Sequence, residues 1–154
     1  MHCWIGLTSP GNVAFTRSLG CYDAVIPYAE INNLAVEPSV YLDLSGDPPT
    51  RAALRARLGD RLLRDIAVGL TTQTPNAEAA GEVFFAPVQM RKRRQDWGRD
   101  GLDQRFAEAW RRFADVAGAW LDVRTGTGPE GLRHAWFEVL GGRTPPRVGH
   151  VIRM

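Results

Sequence analysis

Residues Trp4 to Pro27 constrain this chain more than any other stretch, because they spell a strand, a helix and a second strand in close succession. Trp4-Ile5-Gly6-Leu7 is a short apolar run ending at Thr8-Ser9-Pro10. A hydroxyl residue followed by proline is a common helix start: Ser9 is placed to cap, and Pro10 takes the first helical position, where its missing N–H costs nothing. A helix is expected from Gly11 to Leu19, with Phe15 and Leu19 on its buried face, and Gly20 suits the left-handed conformation that closes a helix. The next apolar run is Ala24-Val25-Ile26. A strand that feeds a helix that feeds a strand is half of a parallel sheet.

In a dinucleotide-binding sheet, the glycine turn that cradles the pyrophosphate follows the first strand, and the adenosine ribose is held at the end of the second. Nothing before Trp4 has room for that first strand, so the chain reads as such a domain entered at its second strand. The expected fold class is α/β, an incomplete Rossmann-like parallel sheet with flanking helices.

A length of 154 residues suits one ordinary domain. The formal charge of +2 is too small and too scattered for a dedicated nucleic-acid binder. Cys3 and Cys21 alone make neither a disulfide framework nor a metal site, and two reduced thiols are expected. No apolar run approaches bilayer-spanning length, and the first residues lack the regions of a secretory signal, so a cytoplasmic location is expected.

Val40 to Leu44 is a strand by composition, closed by Ser45-Gly46-Asp47-Pro48-Pro49. Thr50 is then expected to cap a helix over Arg51 to Leu58, with Leu54 and Leu58 on one face, three arginines pointing away from it, and Gly59 at its end. A strand over Asp65 to Leu70 leads into a polar loop beginning Thr71-Thr72-Gln73, and Glu82 to Ala86 is expected at a sheet edge. Pro87 to Gln95 suits a helical turn or two, whose Arg91-Lys92-Arg93-Arg94 is expected to be a solvated face, and Trp97-Gly98 breaks the pattern. From Leu102 to Trp120 the apolar residues form a helical stripe, expected to be core. A strand over Leu121 to Arg124, a turn over Thr125 to Pro129, a helix from Pro129 to Leu140 and a strand over Val148 to Ile152 complete the chain.

No nucleophile elbow, zinc-protease helix or paired-cysteine site is present in the sequence. His2, His134 and His150 are far apart, and none neighbours a second ligand in sequence; surface or capping roles are expected, with no metal. Thr8 and Ser9, Ser45 and Gly46, and Thr71 and Thr72 each follow a strand. If those strands are neighbours, their carboxyl ends form one crevice whose hydroxyls and backbone N–H groups suit a ribose and its phosphates. Capping by Ser9 and turn formation by Ser45 explain each residue singly just as well.

The segments Gly6-Leu7-Thr8-Ser9-Pro10, Asn12-Val13-Ala14-Phe15, Ser18-Leu19-Gly20 and Val40-Tyr41-Leu42-Asp43-Leu44-Ser45-Gly46 carry a resemblance. Phe84-Phe85-Ala86-Pro87, Asp96-Trp97-Gly98 and Gly149-His150-Val151 extend it over nearly the whole chain. Together they resemble the later part of the medium-chain dehydrogenase/reductase family, in particular a quinone-reductase-like branch described as a domain of unknown function. The resemblance implies a partial dinucleotide-binding domain over residues 1–120 and a C-terminal segment, 121–154, that returns as a strand of the catalytic domain. It implies NADP or NAD as cofactor, without metal. Carried over by position, Thr8, Ser9 and Asn12 would face the adenosine ribose or its 2′-phosphate, with Asn12 standing where many NADP-using relatives have lysine. Ser45, Gly46, Gly69, Leu70 and Thr71 would approach the nicotinamide. The family's catalytic domain and glycine-rich first turn have no counterpart here, which leaves three explanations: a second chain supplies that half, the chain is a truncation, or the fragment has taken another role.

Two functions follow from these observations. One is an NAD(P)H-dependent reductase of a small carbonyl, enone or quinone, or a subunit of one, acting as a homo-oligomer. The other is a nucleotide-binding or dimerising module without catalysis, pairing through the aromatic strand around Phe84 and Phe85. Neither involves nucleic acid or a membrane.

Overall fold

The computed structural model describes residues 3–68, 81–142 and 144–154. It is a mixed α/β structure in which short parallel sheets are flanked by helices. β1 (Ile5–Thr8) and β2 (Ala24–Pro27) pair in parallel through α1 (Val13–Ser18), with Thr8 opposite Pro27. The opening unit therefore has the strand, helix, strand order read from sequence, but α1 starts at Val13 rather than Gly11 and Phe15 and Leu19 are only half-buried; Gly20 follows the helix at φ 68°. Ser9 occupies the N-cap position of a 3-10 turn, Pro10–Asn12, that precedes α1, but its side chain makes no capping hydrogen bond.

β3 (Ser39–Asp43), β4 (Leu62–Ala67) and β5 (Glu82–Val83) form a second parallel sheet in that order, with β5 at its edge. α2 (Pro48–Leu58) connects β3 to β4. It begins earlier than the sequence suggested. Asp47, not Thr50, is the cap: its Oδ2 accepts from Thr50 N at 3.0 Å and from the Thr50 hydroxyl at 2.6 Å. Pro48 and Pro49 fill the first turn, where no intrahelical N–H is needed. β4 likewise starts three residues before the expected Asp65, directly after a 3-10 turn over Gly59–Arg61.

One core joins these two sheets. Ile31, Leu34, Leu54 and Leu58 are buried together, with Leu7, Ile26, Tyr28, Tyr41, Ala53 and Leu62 packed around them. Ile31 and Leu34 come from a 3-10 segment, Tyr28–Asn33, and the residue after it, which the sequence reading left unassigned. The arginines of α2 do not point away from the fold. Arg51 and Arg55 reach carboxylates on the sheet, and Arg57 Nε donates to the Leu34 carbonyl at 2.9 Å.

α3 (Ala86–Ala117) is broken at Gly98, whose φ of 71° and ψ of 172° interrupt the helix at the position where Trp97-Gly98 ended the sequence pattern. The expected edge strand reaches only Val83, because Ala86 already belongs to α3. Arg91 to Arg94 are exposed, as a solvated face requires. The stripe below Gly98 is not core. Phe106 is 66% exposed, Trp110 57% and Phe113 54%. Among the described residues α3 packs along no other element; near its end Ala117 is buried and Trp120 meets Phe15 edge-on at 5.7 Å.

β6 (Asp122–Thr127), α4 (Gly128–Leu140) and β7 (Val148–Arg153) make a third βαβ unit. Thr125, Gly126 and Thr127, expected in a turn, belong to β6 and pair with Val151, Ile152 and Arg153. Gly126 fits there because its bare Cα lets α4 approach, with Gly131 in contact across the gap. No described helix is long and apolar enough to cross a membrane.

Candidate functional site

Burial first, and then the carboxylates of Asp47, which caps α2, and Asp43, at the end of β3, raise the phenol of Tyr28, the residue after β2, above the ordinary range. Ile26 and Tyr28, at the end of β2, and Tyr41 of β3 pack against one core cluster. Thr8 is level with Pro27 in one parallel pair, and Asp43 is level with Ala67 in the other. Parallel sheets bind ligands at such an edge, because loops and helix starts gather there with free polar groups.

Asp43 organises this edge. Its side chain is 1% exposed, and Oδ1 accepts from the Ser45 hydroxyl and Ser45 N, both at 3.1 Å, and from Gly46 N at 2.8 Å. The resulting turn sets Gly46 at φ 69°, a conformation that glycine adopts without strain. Oδ2 of Asp43 faces Arg51 Nη2 at 3.0 Å, and Arg51 Nε lies 3.4 Å from Asp65 Oδ1. Arg55 Nε donates to Asp65 Oδ2 at 2.8 Å. Two carboxylates and two guanidiniums thus alternate beneath α2, so the buried charge is balanced. Tyr41 sits against the same group; burial first and the Asp43 carboxylate second push its phenol far above the ordinary range.

The residues singled out from sequence fare differently here. Ser9 and Asn12 flank the 3-10 turn at the end of β1, and neither side chain is spent on capping. Ser45 and Gly46 stand at the end of β3, but their backbone N–H groups are committed to Asp43. Gly69, Leu70 and Thr71 lie outside the described residues. The Asp43, Arg51, Asp65 and Arg55 cluster was not recognised from sequence, although the spacing of Arg51 and Arg55, four apart on a helix between two strands, is a signal that could have found it.

A second polar group lies on the β6–α4–β7 unit. Glu138 Oε1 is 3.2 Å from Arg124 Nη1, while its Oε2 is 3.8 Å from His134 Nε2 and 3.7 Å from His150 Nε2. Two histidines distant in sequence thus approach one carboxylate, at distances longer than a hydrogen bond. A surface depression of about 490 Å³ beside them is lined by Glu130, Arg133, His134, Phe137 and Glu138. Among the described residues no group of three histidine, cysteine or acidic side chains is arranged to hold a metal. Cys3 and Cys21 are free and exposed.

A family model described as "Protein of unknown function (DUF2855)" matches residues 2–145. Neither the curated proteins nor the solved structures contain a significant match to this chain.

Proposed function

The chain belongs to the DUF2855 family, and from that premise we propose that it binds a nicotinamide nucleotide as an NAD(P)H-dependent oxidoreductase of a small carbonyl, enone or quinone, or as a subunit of one. One observation carries this reading. Where β1 ends opposite β2, Thr8 is followed by a Ser9 hydroxyl and an Asn12 amide that no cap consumes, at the carboxyl edge of that parallel pair. Ribose hydroxyls are both donors and acceptors, so hydroxyl and amide side chains suit them. Thr8, Ser9 and Asn12 would hold the adenosine ribose. Ser45 and Gly46 would line the nicotinamide side, shaping it through the Asp43 turn because their N–H groups are already bonded. A bound nicotinamide supplies hydride transfer itself, and the chain supplies its position.

Titration of NADPH and NADH into the protein, read by energy transfer from tryptophan to the reduced nicotinamide, tests this directly. Saturable transfer that weakens on Ser9→Ala and Asn12→Ala supports the assignment. Its absence at millimolar nucleotide overturns it.

A second reading, binding without catalysis, is favoured by the commitment of the Ser45 and Gly46 donors to Asp43. Nucleotide binding without loss of 340 nm absorbance on addition of quinone or enone acceptors would select it.

A further inference from the structure

Among the described residues, the β3–β4–β5 sheet is covered on one face only. α2 lies over the face that carries Tyr41, Asp43, Asp65 and Ala67. Alternation places Val40, Leu42, Arg64, Ile66 and Glu82 on the other face, where Arg64 and Glu82 form an exposed ion pair, with Leu44 and Val68 just beyond the strand ends. Val40, Leu42, Leu44 and Val68 are exposed. Parallel sheets are stable when both faces are buried, so the apolar part of this face, Val40, Leu42 and Leu44, needs a cover. The same chain carries an uncommitted cover. On the C-terminal half of α3, Phe106, Trp110, Phe113 and Val116 form an exposed apolar stripe.

We propose that the occupant of the bare sheet face is α3 of a second copy of this chain, exchanged reciprocally in a two-fold dimer. Three observations select it. First, the helix and the sheet face match in size: Leu102 to Val116 spans about 21 Å of helix, enough to cross Val40 to Leu44, which extend about 13 Å along the strand. Second, α3 follows edge strand β5 after only Phe84 and Phe85, yet makes no extensive contact with another described element, and Gly98 redirects its second half; a helix that leaves its own sheet in this way has the form of an exchanged arm. Third, the chain exposes 11706 Å², whereas a compact monomer of its mass, 17.1 kDa, exposes about 7,800 Å². That surplus is large enough for an obligate dimer, which buries about 2,000 to 5,000 Å² in total.

The contact joins two different surfaces, and this gives it a distinctive test. Light scattering on the full-length protein at 10 to 100 μM should give the mass of a dimer. Leu42→Glu, on the sheet, and Trp110→Glu, on the arm, should each weaken dimerisation about 30-fold or more. Mixing the two variants should restore dimers in part, because the unaltered arm of the first then meets the unaltered sheet of the second, leaving one of the two contacts intact. If either glutamate prevents folding by circular dichroism, Leu42→Thr and Trp110→Ser carry the same comparison. A monomeric native chain, single variants that still dimerise as before, or a mixture that stays monomeric would each overturn the exchange.

Discussion

The Arg51 guanidinium lies 3.0 Å from the Asp43 carboxylate, and this ion pair anchors the start of α2 to the end of β3. Asp43 is almost wholly buried and also holds the turn that carries Ser45 and Gly46. The pair therefore links helix position, turn shape and the edge where a nucleotide is proposed to bind.

Removing the cation should be costly. Arg51→Met leaves Asp43 buried and facing Asp65 without its shared counter-charge, and such losses destabilise by about 3 to 5 kcal/mol. Urea unfolding should show that drop, and adding Asp43→Asn should recover part of it. A change below about 1 kcal/mol in the single variant would mean that the pair is effectively solvated.

Alkaline pH should loosen the same region. Burial and Asp43 hold the Tyr41 phenol protonated in the folded state well above the ordinary value of about 10. Its contribution is complete below that ordinary value and is lost as pH rises through the higher folded value, because the unfolded chain releases the proton first. Stability should thus decline above about pH 10, and Tyr41→Phe should flatten the decline. An unchanged alkaline slope in Tyr41→Phe, measured by urea unfolding across pH, would refute the coupling.

Packing of α4 on β6 depends on two glycines. A Cβ on Gly126 would lie 2.8 Å from Ile152 Cδ1 and 3.2 Å from Gly131 Cα, and one on Gly131 would lie 3.0 Å from the Gly126 carbonyl carbon. Alanine at either position should cost about 1 to 3 kcal/mol by forcing helix and strand apart. Gly11→Ala, where nothing lies within 4 Å, should change stability by less than about 0.5 kcal/mol. Equal effects at the three sites in thermal unfolding would contradict the close approach.

Much of the element order was legible because it rests on local rules. Apolar runs bounded by glycine and proline marked Trp4 to Pro27, and glycines marked helix ends or breaks at Gly20, Gly59 and Gly98, all three of which adopt positive φ. Local rules also misled. Pro48 and Pro49 suggested that α2 had not yet begun, although proline is at home in a first helical turn once Asp47 caps it. Thr125-Gly126-Thr127 has a turn's composition, but its backbone pairs fully with β7. The proposed binding edge was legible as a recurrence of hydroxyl residues after strands. That Asp43 would consume the donors of Ser45 and Gly46 was not.

By itself the sequence determined an α/β chain of parallel units, since amphipathic period, caps and glycine positions act over a few residues. Only the tertiary structure decided which distant charges meet, as at Asp43 with Arg51 and Asp65 and at Glu138 with His134 and His150. It alone left the Phe106, Trp110 and Phe113 stripe bare. The reason is physical: an apolar stripe specifies that a helix needs a partner surface, whereas the path of the whole backbone decides whether that surface lies within reach.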